Sequence, residues 1–418
     1  QKYLADFGLG DRVTITELLQ KNGYRTGHFG KWHIGPTGKP GTYGIKVIQG
    51  KPDRNAGVDR ATHGRDAYLI DGAIKFLKAN AKEKQPFYMN VWGHISHFPV
   101  QPAKHFADRF KDVKVDEAKF GPELRKKFAE CRALGGNVDE GMRNYLGDVF
   151  SMDQGIGRIV AELERQGTLD NTLIFYLQDN GACAEGFGRY KPNRPYRTDY
   201  KALGRDGLQT KIWPPMQTRG GRPVKNGPDA MAGAEDTFTG VGRGWANVSN
   251  TPFREYKHFA HEGGISTPLI VHWPKGLNAE HNGKLESQPG HLIDLMATCV
   301  DVAGIKHPKE FAGNKIQPLE GVSLKPAFSG KDLSRTDALY FDHHLNGAIR
   351  DDQWKLVRYG DSGGNAKLHP WQLYDMENDR SEQTDLANKY PDKVKALAGK
   401  WEKWAVRARV KPWPWEVE

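Results

Sequence analysis

The sequence has three cysteines in 418 residues, Cys131, Cys183 and Cys299, and no CxxC pair. This excludes a disulfide-stapled scaffold and a cysteine-based zinc site, and leaves room for one disulfide at most. No run approaches the roughly 20 apolar residues of a membrane span. There is no basic tail, zinc-finger spacing or RNA-binding motif, so the formal charge of +10 does not point to nucleic acid. An anionic small molecule or polysaccharide suits that charge, and so does a surface that is simply basic. No internal repeat occurs. No methionine or signal peptide opens the chain, and Gln1 runs straight toward a helix, as expected of a truncated or processed start.

What is there reads as a globular, loop-rich chain: 38% apolar residues, 27% charged, 48 Gly and 11 Trp. The length suits one large domain plus a smaller one. Thr14 and Glu17 make a capping box, Ile15, Leu18 and Leu19 give helical spacing, and Gly23 stops the helix. A strand is expected near residues 24–29, with the GKWH stretch just past its end. Residues 66–80 follow a helical period, and 87–91 form a buried strand ending in a histidine-rich loop. A long helix is expected over 139–167, with Tyr145, Val149, Met152, Ile156, Ile159, Val160 and Leu163 on one face. "NTLIFYLQDNG" reads as a central parallel strand. "PLIVHWP" reads as another buried strand and "HLIDLMATCVDVAG" as another helix. Residues 182–250, rich in Gly, Pro and Arg, are expected to be a long basic excursion.

After about 330 the pattern changes to antiparallel strands and a final helix from about 391. The fold class is therefore α/β: a mostly parallel central sheet flanked by helices, with a smaller C-terminal antiparallel sheet plus helix. The expected division is 1–330 and 331–418. In open α/β sheets ligands bind beyond the carboxyl ends of the strands. GKWH, HISH and DNG fall at such ends, and "KHFAHEGG" immediately precedes a strand.

Asp179 and Asn180 offer hard oxygens that suit Ca²⁺ or Mg²⁺ better than zinc, although a full set needs about six. The plain alternative is an Asn-Gly turn. Lys31 and Lys257 in one site would stabilise a multiply charged oxyanion. His33 and His97 could move a proton, or be packed rings like many others. His258 and His261 could share a helical face and hold zinc, but no third ligand is evident. Asp351-Asp352 reads as a turn between two strands.

"GYRTGHFGKWHIG" resembles the second signature of the type I, formylglycine-dependent sulfatases, GYxTxxxGKWHxG. "HISHFPVQP" is similar to that family's PHxP loop, with His97 and Pro99 in place and Ser96 where Pro is usual. "QDNG" resembles its metal-binding SDNG. "NTPFREYKHFAHEGGISTPLIVHWP" resembles the segment with its second active-site lysine, matching at Arg254, Lys257, Glu262, Gly263, Gly264 and Pro268. "LYDMENDRSEQTDLA" is similar to its C-terminal hairpin signature.

The resemblance implies an alkaline phosphatase-like fold and a sulfuric ester hydrolase acting through a formylglycine gem-diol and calcium, with Mg²⁺ the lesser choice. Asp179 and Asn180 would ligate the metal. Lys31 and Lys257 would hold sulfate oxygens. His97 would assist the leaving oxygen, and His33 would bond the second gem-diol hydroxyl and act as base. A periplasmic or secreted location is also implied.

The family's Cys- or Ser-x-Pro-x-Arg nucleophile motif does not occur in these 418 residues. It is expected upstream, together with an Asp pair of the calcium shell and the first strand of the sheet, so that this polypeptide alone is inactive. Residues 184–257 hold thirteen Lys/Arg against seven Asp/Glu, which suits a sulfated polysaccharide; an aryl sulfate is the other expected substrate. "FDHHLNGAIR" resembles a substrate-side loop often seen as EHxGNRAxR, and His94 and His343 are the candidate substrate contacts. Two rivals stay open: a phosphodiester or phosphonate hydrolase of the same superfamily, and a non-catalytic binder of sulfated glycans.

Overall fold

The structure, a computed structural model, describes residues 9, 12–35, 38–50, 63–97, 100, 102–120, 125, 128–129, 132–133, 137–185, 217, 221–224, 240, 242–361 and 366–413. Helix α1 (Ile15–Lys21) starts on the expected capping box. The Thr14 hydroxyl accepts from the Glu17 N–H at 3.2 Å, and the Glu17 carboxylate accepts from the Thr14 N–H at 2.8 Å. Such a cap is worth about 1 kcal/mol. Leu18 and Leu19 are buried, and Gly23 at φ +85° turns the chain out of the helix.

Strand β1 (Arg25–Gly30) lies between β2 (Val47–Gln49) and β3 (Phe87–Trp92), all parallel. Helices α2 (Ala67–Glu83) and α3 (Val138–Arg165) cover this sheet. Phe29, Leu69, Phe76, Leu77, Ile159 and Leu163 form the core between them. Burying each such side chain contributes about 1.5–3 kcal/mol.

The buried face of α3 differs from the one its apolar residues suggest. Small residues settle into its neighbours: a Cβ on Gly147 would meet Pro102 and Ala107 at about 3 Å, and one on Gly155 would meet Ile70 at 2.8 Å. Of the seven apolar residues named for this helix, Ile159 and Leu163 are buried in the core as expected, while Tyr145, Val149, Met152, Ile156 and Val160 line a cleft of about 2050 Å³ between β3 and β4 (Ile174–Leu177). Strand β4 is not a central parallel strand. It pairs antiparallel with β5 (Leu269–His272), from Ile174 opposite His272 to Leu177 opposite Leu269. Nor is β5 buried, since Ile270 is 58% exposed. An apolar run marks a strand that favours cover, but the packing decides whether it is covered and by what. Among the described residues, β3 pairs only with β1 and β4 only with β5, so both face the cleft with unpaired edges.

Helix α4 (Leu292–Val302) has its own capping box, His291 with Asp294, and Arg335 pairs with the buried Asp294 at 2.5 Å. The C-terminal sheet is antiparallel, in the order β9 (Gln372–Asp375), β8 (Trp354–Arg358), β7 (Asn346–Asp351), β6 (Leu339–His343). The β7–β8 connection is the expected Asp351-Asp352 turn, with Asp352 at φ +54°. Helix α5 (Pro391–Arg407) lays Leu397, Trp401 and Ala405 over Ile349, Leu356 and Leu373. Most of the basic excursion, and Pro99 of the histidine loop, lie outside the described residues.

Candidate active site

The first site element follows β1. Gly30 sits at φ +123°, and a Cβ there would stand 2.0 Å from the Trp92 carbonyl. Only glycine permits that approach. The Lys31 N–H then donates to the Trp92 carbonyl at 3.0 Å. His28 is a packed ring, fully buried, bonded to the Lys31 carbonyl at 2.8 Å and set edge-on to Trp32 and Trp92. It holds the lysine's backbone.

The second element follows β3. His94 is fixed by the buried Asp66, whose carboxylate accepts from the His94 N–H at 2.6 Å and meets Nδ1 at 3.0 Å. Burial pushes the Asp66 carboxyl up, but the bonds and charge of His94 hold it below the usual range. Arg65 donates to the His97 carbonyl at 2.8 Å. The third and fourth elements are one unit. Gly181 donates to the Gly264 carbonyl at 2.9 Å, and Lys257 to the Ala182 carbonyl at 3.2 Å. A Cβ on Gly181 would lie 1.8 Å from the Gly263 oxygen. The glycine after Asn180 is thus required by close approach, and φ is not the reason.

Behind this unit stands a buried charge cluster. Lys355 of β8 hydrogen-bonds Glu262 at 2.6 Å and pairs with Glu382 at 2.8 Å, and Glu382 also accepts from the Glu262 N–H at 2.9 Å. Arg254 donates to the Tyr374 hydroxyl at 3.0 Å. The loop carrying Lys257 is therefore bolted to the C-terminal sheet. His261 belongs to this wall: it is buried, stacked on Tyr359 and bonded to Gln372 at 3.0 Å. His258 has φ +87° and is not helical, so the shared helical face for zinc does not exist.

Lys31, His33, His94, His97, Asp179, Asn180 and Lys257 all line the same cleft. His343 does not. Its ring lies 5.0 Å from that of His258, next to Lys257 in the chain. Burial, then His344 and His258, push His343 down to about 4. Burial lowers the Lys31 ammonium, Asp179 opposes, and Lys257 and Arg65 lower it further. Clustered cations of this kind attract an anion. Asp179 is exposed, and among the described residues neither its side chain nor that of Asn180 makes a hydrogen bond. Two uncommitted hard oxygens fit a Ca²⁺ or Mg²⁺ ion as part of its shell.

Sequence reasoning missed Glu185. Its carboxylate accepts from Lys257 Nζ at 2.8 Å. Burial raises its pKa, but Lys257, His97 and His258 together hold it below the usual range. Nothing in the pattern of a Gly-rich segment marks it. Asp66 and Arg65 were also missed, because they are distant in sequence from the loops they orient.

A sheet with a cation-rich pocket at its strand ends is the layout of an α/β enzyme that handles an oxyanion. The family model described as Sulfatase matches residues 6–305, and that described as N-sulphoglucosamine sulphohydrolase, C-terminal, matches residues 254–403. The chain belongs to the sulfatase family and is a sulfatase. It is 26% identical to the arylsulfatase of Klebsiella aerogenes, over 78% of this chain and 75% of that one. It is 22% identical to the N-acetylglucosamine-6-O-sulfatase of Bacteroides thetaiotaomicron, over 93% and 71%. The structure of Ps i-CgsB in complex with k-i-k-neocarrahexaose is similar in fold, with a TM-score of 0.62, 20% identity, and coverage of 97% of this chain and 78% of that one.

Proposed function

We propose that this chain hydrolyses sulfate esters of carbohydrates, with aryl sulfates as simpler substrates. The observation that carries the reading is the convergence of Lys31 and Lys257 with Asp179, Asn180 and His97 on one cleft. Names of similar proteins support the substrate class: one acts on an N-acetylglucosamine sulfate, and another is solved with D-glucosamine-2-N,6-O-disulfate. Lys31 and Lys257 bind and orient the sulfate oxygens and stabilise charge as it grows on them. His97 donates a proton to the leaving oxygen, and His33 accepts one from the nucleophile's second hydroxyl. His94, held by Asp66, and His343, beside His258, contact the sugar.

Asp179 and Asn180 would hold a Ca²⁺ ion, which supplies charge to an oxygen nucleophile and to the sulfate. The nucleophile is a formylglycine formed in a Cys- or Ser-x-Pro-x-Arg motif carried on an upstream segment. The cleft between β3 and β4, with its apolar walls and two unpaired edges, is where a strand leading to that motif fits. We also propose the division 1–330 and 331–418 as catalytic domain and C-terminal subdomain, and a periplasmic or secreted location.

The test uses a full-length polypeptide bearing the motif. Sulfate release from aryl and sugar sulfates is expected to exceed phosphate release from matched esters, and Lys31→Ala is expected to lower kcat by about 10²–10³-fold. Faster phosphate release would make it a phosphoester hydrolase. Binding without turnover would make it a glycan-binding protein.

A further inference from the structure

Three side chains, of which His97 and Cys183 line the cleft, have no role in sulfate ester chemistry as a set. His97, Cys183 and Glu185 each bring one ligand atom within 4.8 Å of the others. The His97 Nε2 to Glu185 distance is 3.8 Å, and His258 Nε2 lies 3.6 Å from the same carboxylate. They come from two separate segments: the loop after β3 and the loop after β4, with His258 on the loop bonded to the latter. Cys183 is a thiol and not half of a disulfide.

The donor chemistry is one nitrogen, one sulfur and one oxygen, with a second imidazole beside them. That set is borderline-soft and unlike the hard oxygens of Asp179 and Asn180. Ca²⁺ and Mg²⁺ take oxygen ligands and leave thiols alone. Zn²⁺ accepts Cys, His and carboxylate together, and tetrahedral ligands at its bond lengths stand about 3.5 Å apart. The cluster needs to contract by only about an ångström.

We infer that His97, Cys183 and Glu185 form a second metal site that takes Zn²⁺ or a like transition ion, with His258 or water as fourth ligand. Occupying it forms the metal–thiolate bond as the Cys183 S–H bond breaks, with its proton released to solvent. It also takes the Glu185 carboxylate from Lys257 and occupies the ring nitrogen by which His97 would move a proton. Zinc at this site therefore inhibits hydrolysis. The inhibition rests on the sulfatase reading, but the binding does not.

Binding is read on the purified full-length polypeptide with Co²⁺ as spectroscopic probe and Zn²⁺ as competitor. The expected result is one ion per chain, with a thiolate-to-cobalt charge-transfer band that Zn²⁺ abolishes. Cys183→Ser removes the band, Glu185→Gln weakens binding at least tenfold, and Cys299→Ser changes neither. In the unaltered chain, Zn²⁺ should also protect Cys183 from alkylation, located by peptide mapping, and Ca²⁺ should not. Absence of the band, its survival in Cys183→Ser, or unprotected Cys183 under Zn²⁺ overturns the site. If the band appears and sulfate release from the full-length enzyme ignores Zn²⁺, the site stands and its inhibitory role falls.

Discussion

Lys355 tests how the C-terminal sheet holds the site. Its side chain and that of Glu382 are 0% exposed, and Glu262 is 4% exposed. Lys355→Met keeps the bulk and removes the charge, leaving two carboxylates buried together. Removing one partner of a buried pair costs about 3–5 kcal/mol, and repulsion between the two glutamates places this case at the upper end. On a 418-residue chain that lowers Tm by about 5 °C.

The pH dependence gives a sharper check. Burial raises Glu262, but the charge and hydrogen bond of Lys355 outweigh it and hold the group below the usual glutamate range. Glu262 therefore stabilises the native chain above an unfolded pKa of about 4.3, and that contribution is lost as pH falls through its depressed folded value. Burial and the neighbouring Glu262 hold Glu382 above the usual range despite Lys355, so its charged form opposes folding near neutrality. In Lys355→Met both carboxyls titrate high. The destabilisation then grows as pH rises above the unfolded glutamate value of about 4.3, so it is larger at pH 7 than at pH 4.5. Urea unfolding at pH 7 and pH 4.5 measures both. The triple variant with Glu262→Gln and Glu382→Gln should recover part of the loss. A change below about 1 kcal/mol at pH 7, or one that is independent of pH, would refute the reasoning.

Two further outcomes are expected. Gly181→Ala puts a methyl group 1.8 Å from the Gly263 carbonyl, so the Asp179–Asn180 turn and the Lys257 loop must separate. A loss of about 1–3 kcal/mol is expected by thermal denaturation, with slower hydrogen exchange at Gly181 as the contrary result. Asp66 has a lowered carboxyl pKa through His94, so it stabilises above an unfolded value of about 3.9, and that support is lost as pH falls through the depressed folded value. Asp66→Asn should lower stability at neutral pH and flatten the acid limb of the unfolding curve, and an unchanged limb would show that the pair contributes nothing.

Local features were readable from the chain because their causes are local. The Thr14–Glu17 cap, the helices over 67–83 and 292–302 and the Asp351-Asp352 turn each follow from residues within one or two turns of each other. The site loops were readable too, because GKWH, HISH, DNG and KHFAHEGG keep their residue types at strand ends. The faces were not. Tyr145, Val149, Met152 and Ile156 look like a core stripe of α3, but glycines on its other side let it dock on α2 and Pro102.

By itself the sequence determined the order of elements, the placing of Lys31, His97, Asp179 and Lys257 beside strands, and the resemblance that names their family. Only the tertiary structure decided that Glu185 meets Lys257, that Asp66 steers His94, that His261 serves the wall, and that β4 pairs antiparallel with β5. These depend on contacts between residues far apart in the chain. Periodicity reports which side chains favour cover, but whether they are covered, and by what, is fixed by how helices and strands pack.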